Sequence, residues 1–207
     1  MDTTIMKTLL TLLIFFALIG NVDARCSVIV LGGTTEAAAT CNVSTDELGI
    51  RSEDASTIAG TNNNIYCHLH TPECSGKLYT ANLRHSSTDA ENAKVCVYLD
   101  DGDSDTDSGD TLVECSGAIA SGSTTGWKNA AMATNPAVST GSNYWVCLVN
   151  EDSTSWDSYY VASGTRKQKT CSGCYASPPE NLDGTWSSAT SSRDMYVLVS
   201  LPIPSLS

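Results

Sequence analysis

Positive charge, histidine and phenylalanine are all scarce in this 207-residue chain: 11 Lys plus Arg stand against 23 Asp plus Glu, with three His and two Phe. A formal net charge of −12 repels phosphate backbones and anionic lipid headgroups, so nucleic acid and membrane surfaces are excluded as natural partners. Catalytic motifs are missing as well: there is no Gly-x-Ser-x-Gly elbow and no His-Glu-x-x-His helix. His68, His70 and His85 stand in no motif context. A glycosidase carboxylate pair is defined by separation in space, which spacing along a chain does not give. The expectation is a non-enzymatic protein. Helical periodicity is nearly absent too, which excludes a helical bundle.

One long apolar run does occur, from Leu9 to Ile19, broken only by Thr11 and preceded by Lys7. As a helix it would span roughly 16 Å at about 1.5 Å per residue, about half of a bilayer core, so no integral membrane span is expected. With Val22-Asp23-Ala24 offering small residues for cleavage after Ala24, residues 1–24 read as a secretory signal. All nine cysteines follow it, at 26, 41, 67, 74, 96, 115, 147, 171 and 174. Behind an export signal they read as disulfides of a secreted or cell-surface protein. Nine is odd, so one thiol remains if eight pair, and eight allow 105 connectivities.

Beyond residue 63, short β-branched and aromatic runs recur between clusters of Gly, Ser, Thr, Asn and Asp, the pattern of a sandwich or barrel. Strands are expected near 64–70, 77–86, 94–100, 111–116, 127–133, 143–150, 157–162 and 194–201. In Lys94-Val-Cys-Val-Tyr-Leu-Asp100 one face carries Val95, Val97 and Leu99 and the other Cys96 and Tyr98. Residues 25–63 are mostly small and polar and read as an N-terminal arm, its one firm element the strand Ser27-Val28-Ile29-Val30-Leu31. Four consecutive apolar residues there ask for cover on both faces. Such a strand suits addition to a neighbour's sheet, so self-association through Ser27–Leu31 is expected. The division is therefore signal 1–24, arm 25–63 and β-sandwich domain 64–207.

The order of features from about residue 64 resembles the jelly-roll β-sandwich modules of secreted, cell-surface and phage structural proteins, the carbohydrate-binding-module-like type. The residues that carry it are Tyr98-x-Asp100 at a strand end, Thr111-Leu-Val-Glu-Cys-Ser116, Gly126-Trp127, and Gly141-Ser-Asn-Tyr-Trp-Val-Cys147. The resemblance implies an all-β, jelly-roll antiparallel sandwich with the arm attached. It implies no single function, since such sandwiches host sugar binding, adhesion and architecture alike. Cys96 and Cys147 replace small apolar residues of that pattern, and the loop after Tyr98-x-Asp100 is acidic instead of Gly/Pro-rich.

That loop, Asp100-Asp-Gly-Asp-Ser-Asp-Thr-Asp-Ser-Gly-Asp110, is the candidate metal site. Hard cations such as Ca²⁺ take six to eight oxygens, and carboxylates at alternate positions of a turning loop converge on one ion. Candidate ligands are Asp101, Asp103, Asp105, Asp107, Asp110 and Glu114. With Asp103 as position one of a helix-flanked calcium loop, Asp105, Asp107 and Glu114 fall at three, five and twelve, but Gly109 is displaced by one and no helices flank the loop. The alternative is a solvated loop that keeps a sheet edge soluble.

Cys67-His-Leu-His-Thr-Pro-Glu-Cys74 offers a thiolate and two imidazoles to zinc or copper, or else a Cys67–Cys74 disulfide with His68 and His70 facing solvent. Cys96 and Cys147 are expected in the core and bridge each other only if their strands are adjacent. Cys171-Ser-Gly-Cys174 has redox spacing but no helix to lower a thiol pKa, so it reads as a staple on a long loop. Trp156 and Trp186 lie in polar loops; they are either stacking platforms for glycan rings or caps on the core. A structural or assembly subunit at the cell surface or in a filament is the preferred function, with a lectin-like carbohydrate-binding module as the alternative.

Overall fold

The computed structural model describes residues 46–52, 56–107, 109–151, 156–162, 164–189 and 191–200. The expected signal, residues 1–24, and the assembly segment Ser27 to Leu31 lie outside them. The described strands are β1 (Glu47–Ile50), β2 (Thr57–Ile58), β3 (Asn64–His70), β4 (Gly76–His85) and β5 (Asn92–Leu99). There follow β6 (Thr111–Cys115), β7 (Ile119–Ala120), β8 (Gly126–Ala131), β9 (Ala137–Val138) and β10 (Tyr144–Asn150). The last are β11 (Ser158–Val161), β12 (Arg166–Thr170), β13 (Ser187–Ser188), β14 (Ser192–Arg193) and β15 (Met195–Ser200). No helix occurs among the described residues, and none there is long and apolar enough to cross a membrane.

The strands form two antiparallel sheets that do not close into a barrel, the arrangement of an all-β sandwich. The 8-stranded sheet runs β1-β15-β4-β11-β14, with β2 beside β11 and both β8 and β9 beside β4. The 7-stranded sheet runs β13-β12-β3-β10-β5-β6, with β7 beside β5. Both sheets supply the main core: Leu48, Leu78, Leu83 and Val197 from the first, Val95, Val97, Val146 and Leu148 from the second. Fully burying an aliphatic side chain of this size contributes about 1.5–3 kcal/mol.

Two sequence expectations need correction here. The strand at 27–31 was the one firm element expected in the arm 25–63, yet β1 and β2 also fall in that stretch, β1 paired with β15 and β2 with β11. The β1 pairing needs glycine at 49: its φ is 129°, and a Cβ there would collide with the Met195 carbonyl oxygen. Leu99, expected beside Val95 and Val97, is instead 37% exposed at the end of β5.

A second apolar cluster covers the other face of the 7-stranded sheet. On β10 the residues Tyr144, Val146 and Leu148 point to the main core, while Trp145, Cys147 and Val149 join Ile65, Cys67, Cys96 and Tyr98 outside it. Every residue of β10 is therefore buried, which is why its sequence is apolar from Tyr144 to Val149. The roof over this face is the segment 171–186, which contributes Cys174 and Leu182 and packs Cys171, Tyr175 and Trp186 against the cluster. It is tied down at the edge strand β6: Leu112 N–H donates to the Glu180 carbonyl at 2.8 Å, and Leu182 N–H to the Asp110 carbonyl at 3.3 Å. Lys94 Nζ also donates to the Tyr175 carbonyl at 2.7 Å. The roof thereby closes an edge that would otherwise present unpaired backbone groups.

Candidate functional site

The acidic loop leaves β5 at Asp100, whose N–H donates to the Asn143 carbonyl at 3.1 Å, and enters β6 after Asp110. Between these anchors the aspartates fold the backbone on themselves. Asp100 Oδ2 accepts from Gly102 N–H at 3.2 Å and Asp103 Oδ1 from Asp105 N–H at 2.8 Å. Asp107 Oδ1 accepts from Gly109 N–H at 2.6 Å. Serial side-chain turns of this kind bend a chain tightly without secondary structure. As a result the carboxylate oxygens of Asp100, Asp101 and Asp103 come within 4.8 Å of one another.

Asp110 closes the loop from below. It is fully buried; its Oδ2 accepts from Asp107 N–H at 3.1 Å, and its Oδ1 has no partner. Burial pushes its carboxyl up to about 6; the Asp100 and Asp107 charges add to this, while the Asp107 and Asp101 N–H groups oppose it. Asp100 is only 6% exposed, and its Oδ1 is unpartnered as well.

Of the expected ligands Asp101, Asp103, Asp105, Asp107, Asp110 and Glu114, Asp101 and Asp103 belong to this converging group. Asp105 is turned away to Lys167 of β12 at 2.5 Å, an ion pair that holds its carboxyl below the usual range. Glu114 Oε1 accepts from Thr134 N–H at 2.8 Å and stands on β6, outside the converging group. Asp100, absent from the expected ligand set, belongs to it.

The histidine–cysteine segment also departs from expectation. Cys67 is bonded to Cys147, not Cys74, and its side chain points to the outer cluster. Cys74 is disulfide-bonded to a partner outside the described residues. His68 is 2% exposed instead of solvated, and its Nδ1 meets His70 Nε2 at 2.5 Å. Burial holds both imidazoles down, His70 to about 4 and His68 well below the usual value with the neighbouring His70 adding to the effect. The two rings are thus neutral, and the thiolate a metal would need is spent.

Cys96 and Cys147 do lie directly opposite each other on adjacent strands, both fully buried, yet they are not bonded to each other. Cys96 bonds Cys115 on its other side. Cys67, Cys147, Cys96 and Cys115 therefore stand in one row across β3, β10, β5 and β6. Cys171 and Cys174 form a third described disulfide within the roof, in a turn with no helix.

Neither loop tryptophan is an open platform. Trp156 is fully buried in the main core, against His85 at 4.7 Å between ring centroids. It caps the sandwich, the alternative fate of a loop tryptophan. Trp186 is half-buried in the outer cluster, with Nε1 donating to the Leu182 carbonyl at 2.7 Å and Lys169 Nζ over its ring.

One polar pair escaped the sequence reading altogether. His85, fully buried, meets Glu91 through Nε2 and Oε2 at 2.7 Å, while its Nδ1 faces the Thr124 carbonyl at 3.2 Å. Glu91 Oε2 also accepts from Asp157 N–H at 2.8 Å. Burial raises the Glu91 carboxyl, while the Asp157 N–H and His85 oppose the shift. Both side chains are buried, and Trp156 packs edge-on against the His85 ring. Six residues of sequence separation across a turn carry no signal for such a pair. No protein-family model matches the chain, and no curated protein matches it.

Proposed function

We propose that this chain is a non-catalytic, secreted structural or assembly subunit, built on a sandwich of the jelly-roll kind and working at a cell surface or in a filament. The row Cys67, Cys147, Cys96 and Cys115 carries the reading. Its two disulfides tie β3 to β10 and β5 to β6, so that one sheet is reinforced across four neighbouring strands. Such cross-links persist in oxidising, extracellular compartments. The residues a binding or catalytic protein would hold open, Trp156, His68, His85 and Glu91, are committed to the interior. Trp186 is half-buried and tied into the roof, which favours assembly over carbohydrate stacking.

The expected partner is a second copy of the chain, engaged through Ser27–Leu31. Negative-stain microscopy and sedimentation of the purified, oxidised full chain test this, beside a variant lacking residues 25–35. Ordered particles or fibres that vanish on deletion are the expected result. A monomer at every concentration overturns the assembly role, and saturable binding on a glycan array would carry the carbohydrate alternative instead.

A further inference from the structure

We propose that the loop between β5 and β6 is a calcium site, with Asp100, Asp101 and Asp103 as its carboxylate ligands. Around a calcium ion, oxygens at 2.3–2.6 Å lie no more than about 5 Å from one another. The Asp100, Asp101 and Asp103 carboxylates already meet that condition at 4.8 Å. An exposed acidic cluster alone would say little. The interior side of this loop says more.

Asp110 is fully buried and Asp100 is 6% exposed, and each keeps one carboxylate oxygen without a hydrogen-bond partner. Thr106, 5% exposed, has an unpartnered Oγ1 too. Burying unmatched oxygens of this kind costs free energy unless a cation takes them up. The Asp101 carboxylate folds in towards the same place. It lies against Gly109, the residue before Asp110, where any Cβ would collide with Asp101 Oδ2. Among the described residues the only cation bonded to the loop is Lys167, and it takes Asp105, not the inward group.

The chemistry selects calcium over magnesium. Several carboxylates on an irregular turn suit an ion of six to eight oxygens, whereas Mg²⁺ demands a near-ideal octahedron and keeps its waters. The ion would also fasten the roof. Asp110 receives the Leu182 N–H on its backbone carbonyl, and Thr111 bridges Asn181. Locking the loop therefore locks the segment that seals the outer cluster. The site does not depend on whether the chain assembles.

Calorimetric titration of the chelator-stripped full chain with CaCl₂, and melting with and without the ion, test the proposal. One Ca²⁺ per chain is expected, with a rise in Tm that chelator reverses. Asp103→Asn, at an exposed position, should weaken binding by about tenfold or more and leave the metal-free Tm no lower than wild type. Asp105→Asn should change affinity by less than about threefold, because that side chain is held by Lys167. The proposal is overturned by the absence of heat and of a Tm shift at millimolar Ca²⁺. It is equally overturned if Asp103→Asn binds as wild type does, if Asp105→Asn weakens binding as much, or if Mg²⁺ binds as tightly as Ca²⁺.

Discussion

Lowering the pH from 7.5 to 5.0 should destabilise this fold through its buried histidine pair, by an amount that the burial of His68 and His70 sets. In the unfolded chain both imidazoles titrate near 6.5. In the folded chain His70 titrates at about 4 and His68 is held well below the usual value. A depressed folded pKa means that the unfolded chain binds more protons below pH 6.5. The stabilisation is therefore complete above that pH and is lost as pH falls towards 4. At pH 5.0 the unfolded His70 is almost wholly protonated and the folded one scarcely, a difference of at most about 2 kcal/mol since the ring is half-buried. His68 adds in the same direction. Asp110 and Glu91, whose carboxyls are raised, work the opposite way and favour the folded state as pH falls. Comparing wild type with His70→Gln cancels their contributions. Urea unfolding at a series of pH values should show wild type losing up to about 2 kcal/mol more than the variant between pH 7.5 and 5.0. Parallel stability curves for the two proteins would refute the reasoning, as would a variant that loses more stability than wild type on acidification.

Replacing Cys67 and Cys147 together by Ala should cost more than replacing Cys96 and Cys115, because the bridged residues are 80 apart in one case and 19 in the other. In the chain-entropy picture the costs are about 4.5 and 3 kcal/mol, and denaturant midpoints of the two double variants would reverse order if register strain dominated instead. Trp156→Ala, which empties a fully buried site, should cost about 3–5 kcal/mol, while Trp186→Ala at the half-buried roof costs less. Equal losses in urea melts, or strong acrylamide quenching of Trp156 emission, would contradict its place in the core.

The long strands were legible because their side chains obey simple rules. β10 shows its double-sided burial as the run Tyr144-Trp-Val-Cys-Leu-Val149, and β3, β4, β5 and β15 read as β-rich segments between turn residues. β12 was invisible for the opposite reason. Arg166-Lys-Gln-Lys-Thr170 has no apolar period, and it is a strand only because β3 offers it a ladder from Asn64 to His68. The roof could not be foreseen either, since Tyr175, Leu182 and Trp186 are single apolar residues in a polar segment and become a cluster only in three dimensions. The acidic loop was conspicuous as a place, but its ligand register was not. Side-chain turns, not sequence spacing, decide that Asp100 turns in and Asp105 turns out. Cysteine pairing likewise depends on which strands are neighbours, and β3 and β10 are brought together from far apart in the chain.

The cysteine row has a combinatorial property. Cys147 stands opposite both Cys67 and Cys96, and Cys96 opposite both Cys147 and Cys115. Four members in a line can be matched with their neighbours completely in one way only, the two outer couples; a central Cys96–Cys147 bond leaves Cys67 and Cys115 as lone thiols. Each orphan then sits beside the bond that excluded it: attack by one orphan thiolate forms one outer couple and releases the other central cysteine as a thiolate, whose own couple closes once an external oxidant takes up two electrons. The strand register thus acts as a proofreader for oxidation: a mistake in the row generates the nucleophiles that undo it, and only the complete match leaves none behind.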